Sequence, residues 1–350
     1  MAEFGRKKIR VLVVDDSMLA RKVIMDGLSA HGGLEVVGYA INAVDARNKI
    51  KQLRPDVMTL DVQMPGMTGL DFLKSLLPQN PLPVVLVSSL NLGVFDALHA
   101  GAVDFVRKPD RDVSTEVFVR TLAAKVVEAS RAKVQAPAAA VTPAAPAAAL
   151  GASVSGRVII GLGASTGGTE ATLEVMKRLP EDIPGMVIVQ HMPTGFTKMY
   201  AERLNKLCRM EVREAKDGDE VKRGLALVAP ADLQCRVLRS ALGGYRVSCK
   251  PDERVSGHRP SVDALFLSMA QNVRCQMYGI IMTGMGRDGA AGLLAMRKKG
   301  AYTIGQDEES CVVYGMPRAA YEVGAVTVQA SCKDISTALL RHLRSRPGGR

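Results

Sequence analysis

Two sets of side chains in this chain have types that could do chemistry, and the two chemistries differ. The first set is Asp15, Asp16 and Asp61 with Ser88 and Lys108, each placed just after an apolar run, at 10–14, 57–60, 84–87 and 103–106. Carboxylates gathered at one edge repel each other unless a divalent cation joins them, and oxygen-only ligands suit Mg²⁺. A lysine and a hydroxyl beside them would bind phosphoryl oxygens, and Asp61 could then be a carboxylate nucleophile that forms an acyl phosphate. The second set is Ser165, His191 and Asp288, which again follow apolar runs. A hydroxyl nucleophile, an imidazole base and a carboxylate that orients the imidazole are the parts of an acyl-transfer triad.

The stretch RVIIGLGASTGGTE, 157–170, carries two overlapping glycine patterns. Gly161, Gly163 and Gly167 read as a relaxed dinucleotide fingerprint; Gly163, Ser165 and Gly167 read as a nucleophile elbow. Both need a strand before them and a helix after, which 158–160 and 169–179 supply. A dinucleotide site wants an acidic residue about 20 positions on, for the ribose hydroxyl. Gln190 and His191 stand there instead, which favours the nucleophile. The order Ser…His…Asp also differs from the Ser…Asp…His order of α/β-hydrolases. Plainer readings stay open at this level: Ser165 as a helix N-cap, His191 as a packed histidine, Asp288 as a turn residue among Gly284, Gly286 and Gly289. The run HRPSVD offers His258 and Asp263 as a competing pair, while His31, His99 and His342 sit in poor contexts.

The elements that must position these residues alternate between strand and helix. A further strand is expected at 35–39, and helices at 17–30 and 43–53; after the break, strands are expected at 158–161, 186–190, 226–229, 279–282 and 302–306. Such alternation predicts an α/β protein with two doubly wound parallel sheets, whose functional groups gather at strand C-termini. The break is 134–156, VQAPAAAVTPAAPAAALGASVSG, where prolines forbid a continuous helix and little apolar surface is available. It divides the chain into an expected first domain at 1–133 and a second domain at 157–350. An apolar fraction of 47% is ample for two cores in 350 residues, and no apolar run is long enough to span a membrane. No secretory signal peptide is read at the N-terminus. The six cysteines form no C-x-x-C pair and read as reduced thiols of a cytoplasmic protein. The net charge of +11 is dispersed, and aromatics at 4% are too few for a base-stacking platform, so nucleic acid is not an expected partner.

VLVVDDS, DVMTLDVQMPGMTGLDFL, VVLVSS and AGAVDFVRKP make the first part resemble the receiver domain of two-component response regulators, over about 9–125. The resemblance implies a flavodoxin-like fold with Asp61 as phospho-acceptor. It implies Mg²⁺ held by Asp16, Asp61 and the Gln63 carbonyl with Asp15 nearby, Ser88 and Lys108 on the phosphoryl oxygens, Phe105 as a rotameric aromatic, and a cis Lys108–Pro109 bond. The segment 88–101 is about one helical turn shorter than the resemblance would suggest. GLGASTGG, VQHMP, HRPSVD, TGMGRDGA and QDEESCVVYGMP make the second part similar to the catalytic domain of CheB-type chemotaxis methylesterases, over about 157–340. That resemblance implies a Rossmann-like domain with Ser165 as nucleophile, His191 as base and Asp288 as orienting carboxylate. Met285 becomes an oxyanion donor, Thr166 and His258 line the cleft, and Gln306 and Asp307 begin a loop near the same edge. It further implies demethylation of receptor glutamates and deamidation of receptor glutamines without a cofactor. A chemotaxis histidine kinase would supply the phosphoryl group, the receptors would be the substrate, and the receiver would block the cleft until phosphorylated. The competing classes are a receiver joined to a nucleotide-binding oxidoreductase or to a DNA-binding output; no helix-turn-helix pattern follows the break.

Overall fold

The structure is a computed structural model that describes residues 7–89, 93–111, 113–134, 149–151 and 158–345. It divides into two compact units, Met1–Ala140 and Val141–Arg350.

The first unit runs β1 (Ile9–Val14), α1 (Met18–Ser29), β2 (Leu34–Ala40), α2 (Ala43–Leu53), β3 (Val57–Asp61), α3 (Gly69–Leu76), β4 (Val84–Ser88), α4 (Gly93–His99), β5 (Asp104–Arg107) and α5 (Thr115–Ala129). All five expected strands pair in parallel in the order β2-β1-β3-β4-β5. The central strands are buried on both faces, which is why 11–14 and 84–87 are unbroken apolar runs rather than alternating ones. Ser17 caps α1 by accepting from the Ala20 N–H, so the first expected helix begins where its sequence signal stood. The strand order reverses between β1 and β3, and that switch point brings Asp15, Asp16 and Asp61 together. Within the short segment 88–101, α4 has seven residues, and 90–92 lie outside the described residues.

The second unit runs β6 (Val158–Ala164), α6 (Gly168–Met176), β7 (Gly185–Gln190), α7 (Phe196–Leu207), β8 (Glu211–Glu214), β9 (Leu225–Val228), β10 (Gln234–Arg239) and β11 (Tyr245–Lys250). It continues α8 (Val262–Asn272), β12 (Gln276–Ile281), α9 (Ala290–Lys298), β13 (Tyr302–Gln306), α10 (Met316–Glu322), β14 (Val328–Ala330) and α11 (Ile335–Ser345). Seven of these strands form a parallel sheet, β14-β13-β12-β6-β7-β9-β8, and β10–β11 form a separate antiparallel hairpin. β6 lies between β7 and β12, so the chain winds outward on one side of it and then on the other. The crevice at the C-terminal end of β6 is therefore the second switch point. Gly161 and Gly163 serve the packing of α8: a Cβ on Gly161 would stand 2.7 Å from Met269 Sδ, and one on Gly163 would stand 2.2 Å from Val262 Cγ1. Two glycines of the apparent dinucleotide fingerprint are thus explained by close strand–helix contact.

Three features depart from the expectations. The edge strands β8 and β14 are short and partly exposed, so they carry no continuous apolar run. The hairpin alternates buried Val237, Val247 and Cys249 with outward polar residues, a weaker pattern than the parallel strands show. The cis peptide bond among the described residues precedes Pro260, not Pro109. At Lys108 the N–H continues the β5 ladder to the Ser88 carbonyl at 2.8 Å, and the chain then closes a turn from Asp110 N–H to the Val113 carbonyl at 3.1 Å with the Lys108–Pro109 bond trans.

None of the six cysteines is in a disulfide. No helix among the described residues is long and apolar enough to cross a membrane.

Candidate active site

Parallel register brings the second set of residues together. Ala164 on β6 pairs with Gln190 on β7, so Ser165 and His191 leave adjacent strands side by side; His191 N–H donates to the Ala164 carbonyl at 3.1 Å. On the other side of β6, Ser165 N–H donates to the Thr283 carbonyl at 3.0 Å, which ties the nucleophile candidate to the loop that carries Asp288. Ser165 is not an N-cap. Gly167, at φ +76°, takes that position of α6 without a side-chain cap. Among the described residues, no hydrogen bond engages the Ser165 hydroxyl. A contact from a resting nucleophile to its base is commonly long and tightens with substrate.

His191 Nε2 lies 2.8 Å from Asp288 Oδ2. Asp288 is 2% exposed and also accepts from Ser261 Oγ at 2.7 Å, Val262 N–H at 2.8 Å and Asp263 N–H at 2.9 Å. It thus sits on the N-terminus of α8, whose free N–H groups and dipole favour a negative charge. Burial would push the carboxyl up, but the bonds from His191, the Asp263 N–H and Ser261 outweigh it and hold the acid below its ordinary range. An ionised Asp288 can only accept, so Nε2 carries the proton. His191 Nδ1 is buried and has no hydrogen-bond partner, which leaves it as the basic nitrogen. The His258 ring stacks on His191 with centroids 3.8 Å apart and planes 6° apart. Asp263, its sequence neighbour in HRPSVD, is engaged elsewhere, by Ser256 Oγ and the Gly292 N–H.

The loop after β12 approaches closely. A Cβ on Gly284 would stand 2.6 Å from Ser165 Cβ and 2.5 Å from Met316 Sδ, so only glycine fits there. Among the described residues, no hydrogen bond engages the N–H of Met285 or Gly286, in the loop that Gly284 brings against Ser165. Thr166 is buried, and its carbonyl accepts from Thr283 Oγ1 at 3.0 Å. Gln306 Oε1 accepts from the Thr283 N–H at 2.8 Å and so stands at this edge, while Asp307 Oδ1 accepts from the Ser310 N–H at 2.9 Å within its own loop. Sequence reasoning missed Ser261 and a structural use for Gln190, whose Nε2 donates to the Ser165 and His191 carbonyls at 2.8 and 3.2 Å. Ser261 had a signal, an N-cap serine before an apolar helix, overlooked inside a motif read for its histidine. A buried strand-end glutamine has none.

In the first unit, carboxylate oxygens of Asp15, Asp16 and Asp61 lie within 4.8 Å of one another. Lys108 Nζ is 2.5 Å from Asp61 Oδ2 and 2.9 Å from Asp15 Oδ2. The latter is an ion pair without hydrogen-bond alignment, and Asp15 Oδ2 is buried with no hydrogen-bond partner. Burial raises the Asp61 carboxyl above its ordinary value, an effect that Lys108 and the Gln63 N–H only partly offset. A cavity of about 700 Å³ opens here, lined by Asp16, Asp61, Gln63, Thr68 and Lys108. Ser88 is buried one strand away with its hydroxyl on the Ser89 carbonyl at 2.9 Å, and Phe105 is buried on β5. A hard cation with oxygen ligands fits this donor set, since three carboxylates gathered within 4.8 Å crowd negative charge that it would relieve.

Comparison with known proteins follows the same division. The CheB methylesterase family description matches residues 160–339, and the response regulator receiver domain description matches 11–117. A protein-glutamate methylesterase/protein-glutamine glutaminase of Syntrophomonas wolfei is 51% identical over 96% of this chain and 98% of its own. The similarly named protein of Salmonella typhimurium is 45% identical over 95% and 96%. Among solved structures, the catalytic domain of the Thermotoga maritima CheB methylesterase superposes with a TM-score of 0.51 at 33% identity, covering 54% of this chain and 99% of that one.

Proposed function

The chain belongs to the CheB methylesterase family, with a receiver domain ahead of the esterase, and on that premise we propose that Ser165, His191 and Asp288 carry the hydrolysis. The activity is that of a phosphorylation-regulated protein-glutamate methylesterase and protein-glutamine glutaminase. The observation that carries the residue assignment is the pairing of His191 Nε2 with Asp288, which leaves a buried, partnerless Nδ1 at the strand end beside Ser165.

Ser165 Oγ attacks the carbonyl carbon of a glutamyl γ-methyl ester while His191 Nδ1 takes the hydroxyl proton. Asp288 stabilises the imidazolium without itself becoming protonated. The Met285 N–H meets the developing oxyanion, with Thr166 and His258 lining the cleft. The imidazolium returns the proton to methoxide, and methanol leaves. Water, deprotonated by the same nitrogen, then releases glutamate and free Ser165. A glutamine side chain follows the same path with ammonia as the leaving group. No cofactor takes part in these steps.

The receiver occupies 1–133 and the esterase 157–350, joined through the Ala/Pro-rich 134–156. A histidine kinase supplies the phosphoryl group to Asp61, and receptors provide the substrate glutamates; the chemotaxis kinase and chemoreceptor cytoplasmic helices are the specific partners we propose, in the cytoplasm. Asp15, Asp16 and Asp61 would hold Mg²⁺, which neutralises charge on the incoming phosphoryl group when bound. Lys108 and Ser88 contact its oxygens. In this reading the unphosphorylated receiver restrains the esterase, and phosphorylation shifts a closed–open equilibrium.

The test is methanol release from methylated receptors with and without acetyl phosphate and Mg²⁺. The full chain should respond by stimulation. Asp61→Asn should show none, and a stimulated Asp61→Asn protein would remove Asp61 from the role of phospho-acceptor.

A further inference from the structure

Gln234 opens β10, outside the parallel sheet, and is fully buried. Its amide is spent on one irregular stretch, 251–261. Nε2 donates to the Glu253 carbonyl at 2.9 Å and to the His258 carbonyl at 3.0 Å, while Oε1 accepts from the Ser261 N–H at 2.9 Å. Much of the other bonding of this stretch closes on itself, as in the Val255–His258 bridge and the bonds Arg254 to Gly257 and Arg259 to Asp252. The stretch carries two neighbours of the His191–Asp288 couple. His258 stacks flat on the imidazole, and Ser261 donates its hydroxyl to Asp288 Oδ1.

We propose that Gln234 is a positioning residue of the hydrolytic site. It fixes the plane of the His191 ring through His258 and the seat of Asp288 through Ser261. This rests on the assignment of Ser165, His191 and Asp288 above. A buried amide whose bonds all end on one loop specifies where that loop lies, because an apolar replacement would leave the buried Ser261 N–H without its acceptor and take one donor each from the Glu253 and His258 carbonyls. Displacing a base by about 1 Å costs on the order of 10²-fold in rate, although the displaced residue is far from the replaced one.

The experiment uses the full-length chain with Gln234→Met, which keeps the length and drops every bond. Gln234→Glu keeps an acceptor for Ser261 and loses the donors, and it provides the same readout where Gln234→Met does not fold. Rates are normalised to the Ser165 that a small fluorophosphonate titrates. Per titrated site, kcat should fall about 10–100-fold with KM nearly unchanged. The second-order rate of fluorophosphonate attack should fall in step, with its pH profile displaced. Combined with His258→Ala, the loss should fall short of the product of the single losses by more than about twofold, since both act through one ring. Wild-type kcat per titrated site, a loss confined to KM, or multiplicative losses in the double variant would each overturn the inference. Ser165→Ala run alongside separates the failures. Turnover by that variant removes the site assignment itself, whereas an inert Ser165→Ala beside wild-type-like Gln234 variants removes only the role of Gln234.

Discussion

Ser165→Ala is expected to reduce methanol release to background, a loss on the order of 10⁶-fold in kcat, with the thermal unfolding of the protein unchanged. Both halves follow from the geometry. No hydrogen bond among the described residues engages the Ser165 hydroxyl, so its removal strands no partner. The turn that presents it is held by backbone and by Gln190: Ser165 N–H to Thr283, Gly168 N–H to the Ser165 carbonyl at 2.7 Å, and Gln190 Nε2 to the same carbonyl. Alanine keeps all of these. His191→Ala should approach the same loss, because nucleophile and base act as a unit and either deletion disables both. Activity above a few per cent of wild type in purified Ser165→Ala would show that another group attacks the ester.

How far this site is readable in sequence depends on how locally each part is encoded. Strands buried on both faces announce themselves as apolar runs, so β1, β3, β4 and β5 of the first sheet and the central strands of the second are legible, and with them the residues that follow each run. Ser165, His191 and Asp288 follow β6, β7 and β12, and the parallel register of those strands brings them to one edge. The support of the site is another matter. Ser261, Gln190, Gln234 and Gln306 act by bonds across 25, 27 or 23 positions of sequence, and a buried glutamine looks no different from an exposed one until the fold is known. The hairpin that carries Gln234 was missed because half-buried alternation over six residues is a weak signal. The position of the cis bond, before Pro260 rather than Pro109, was not legible either.

Asp288→Asn is the second change with a large expected effect, and it separates orientation from construction. The carboxylate has four donors converging on it, and an asparagine can accept on one oxygen only. If the amide oxygen takes the Val262 and His191 side, its NH₂ confronts the Ser261 hydroxyl and the Asp263 N–H; turned the other way, it confronts His191. Either the helix cap or the tautomer of the imidazole is lost. The same change in a serine-protease triad costs about 10⁴ in kcat, because the base presents the wrong nitrogen. A loss of about 10³–10⁴ in kcat is expected here, with KM little affected. Stability should respond as well, and the sign follows from the carboxyl being held below its ordinary range in the folded protein. Such a group contributes stability above its unfolded pKa, and the contribution disappears as pH falls through the folded value. The wild-type protein should therefore lose stability relative to Asp288→Asn on acidification, while near neutral pH the variant should be the less stable by about 1 kcal/mol or more, the usual worth of a cap. Denaturant unfolding of both proteins at neutral and acidic pH, alongside kcat, measures the two effects. A variant that keeps wild-type kcat while showing the stability loss would leave Asp288 as an acceptor for the first N–H groups of α8 and nothing more.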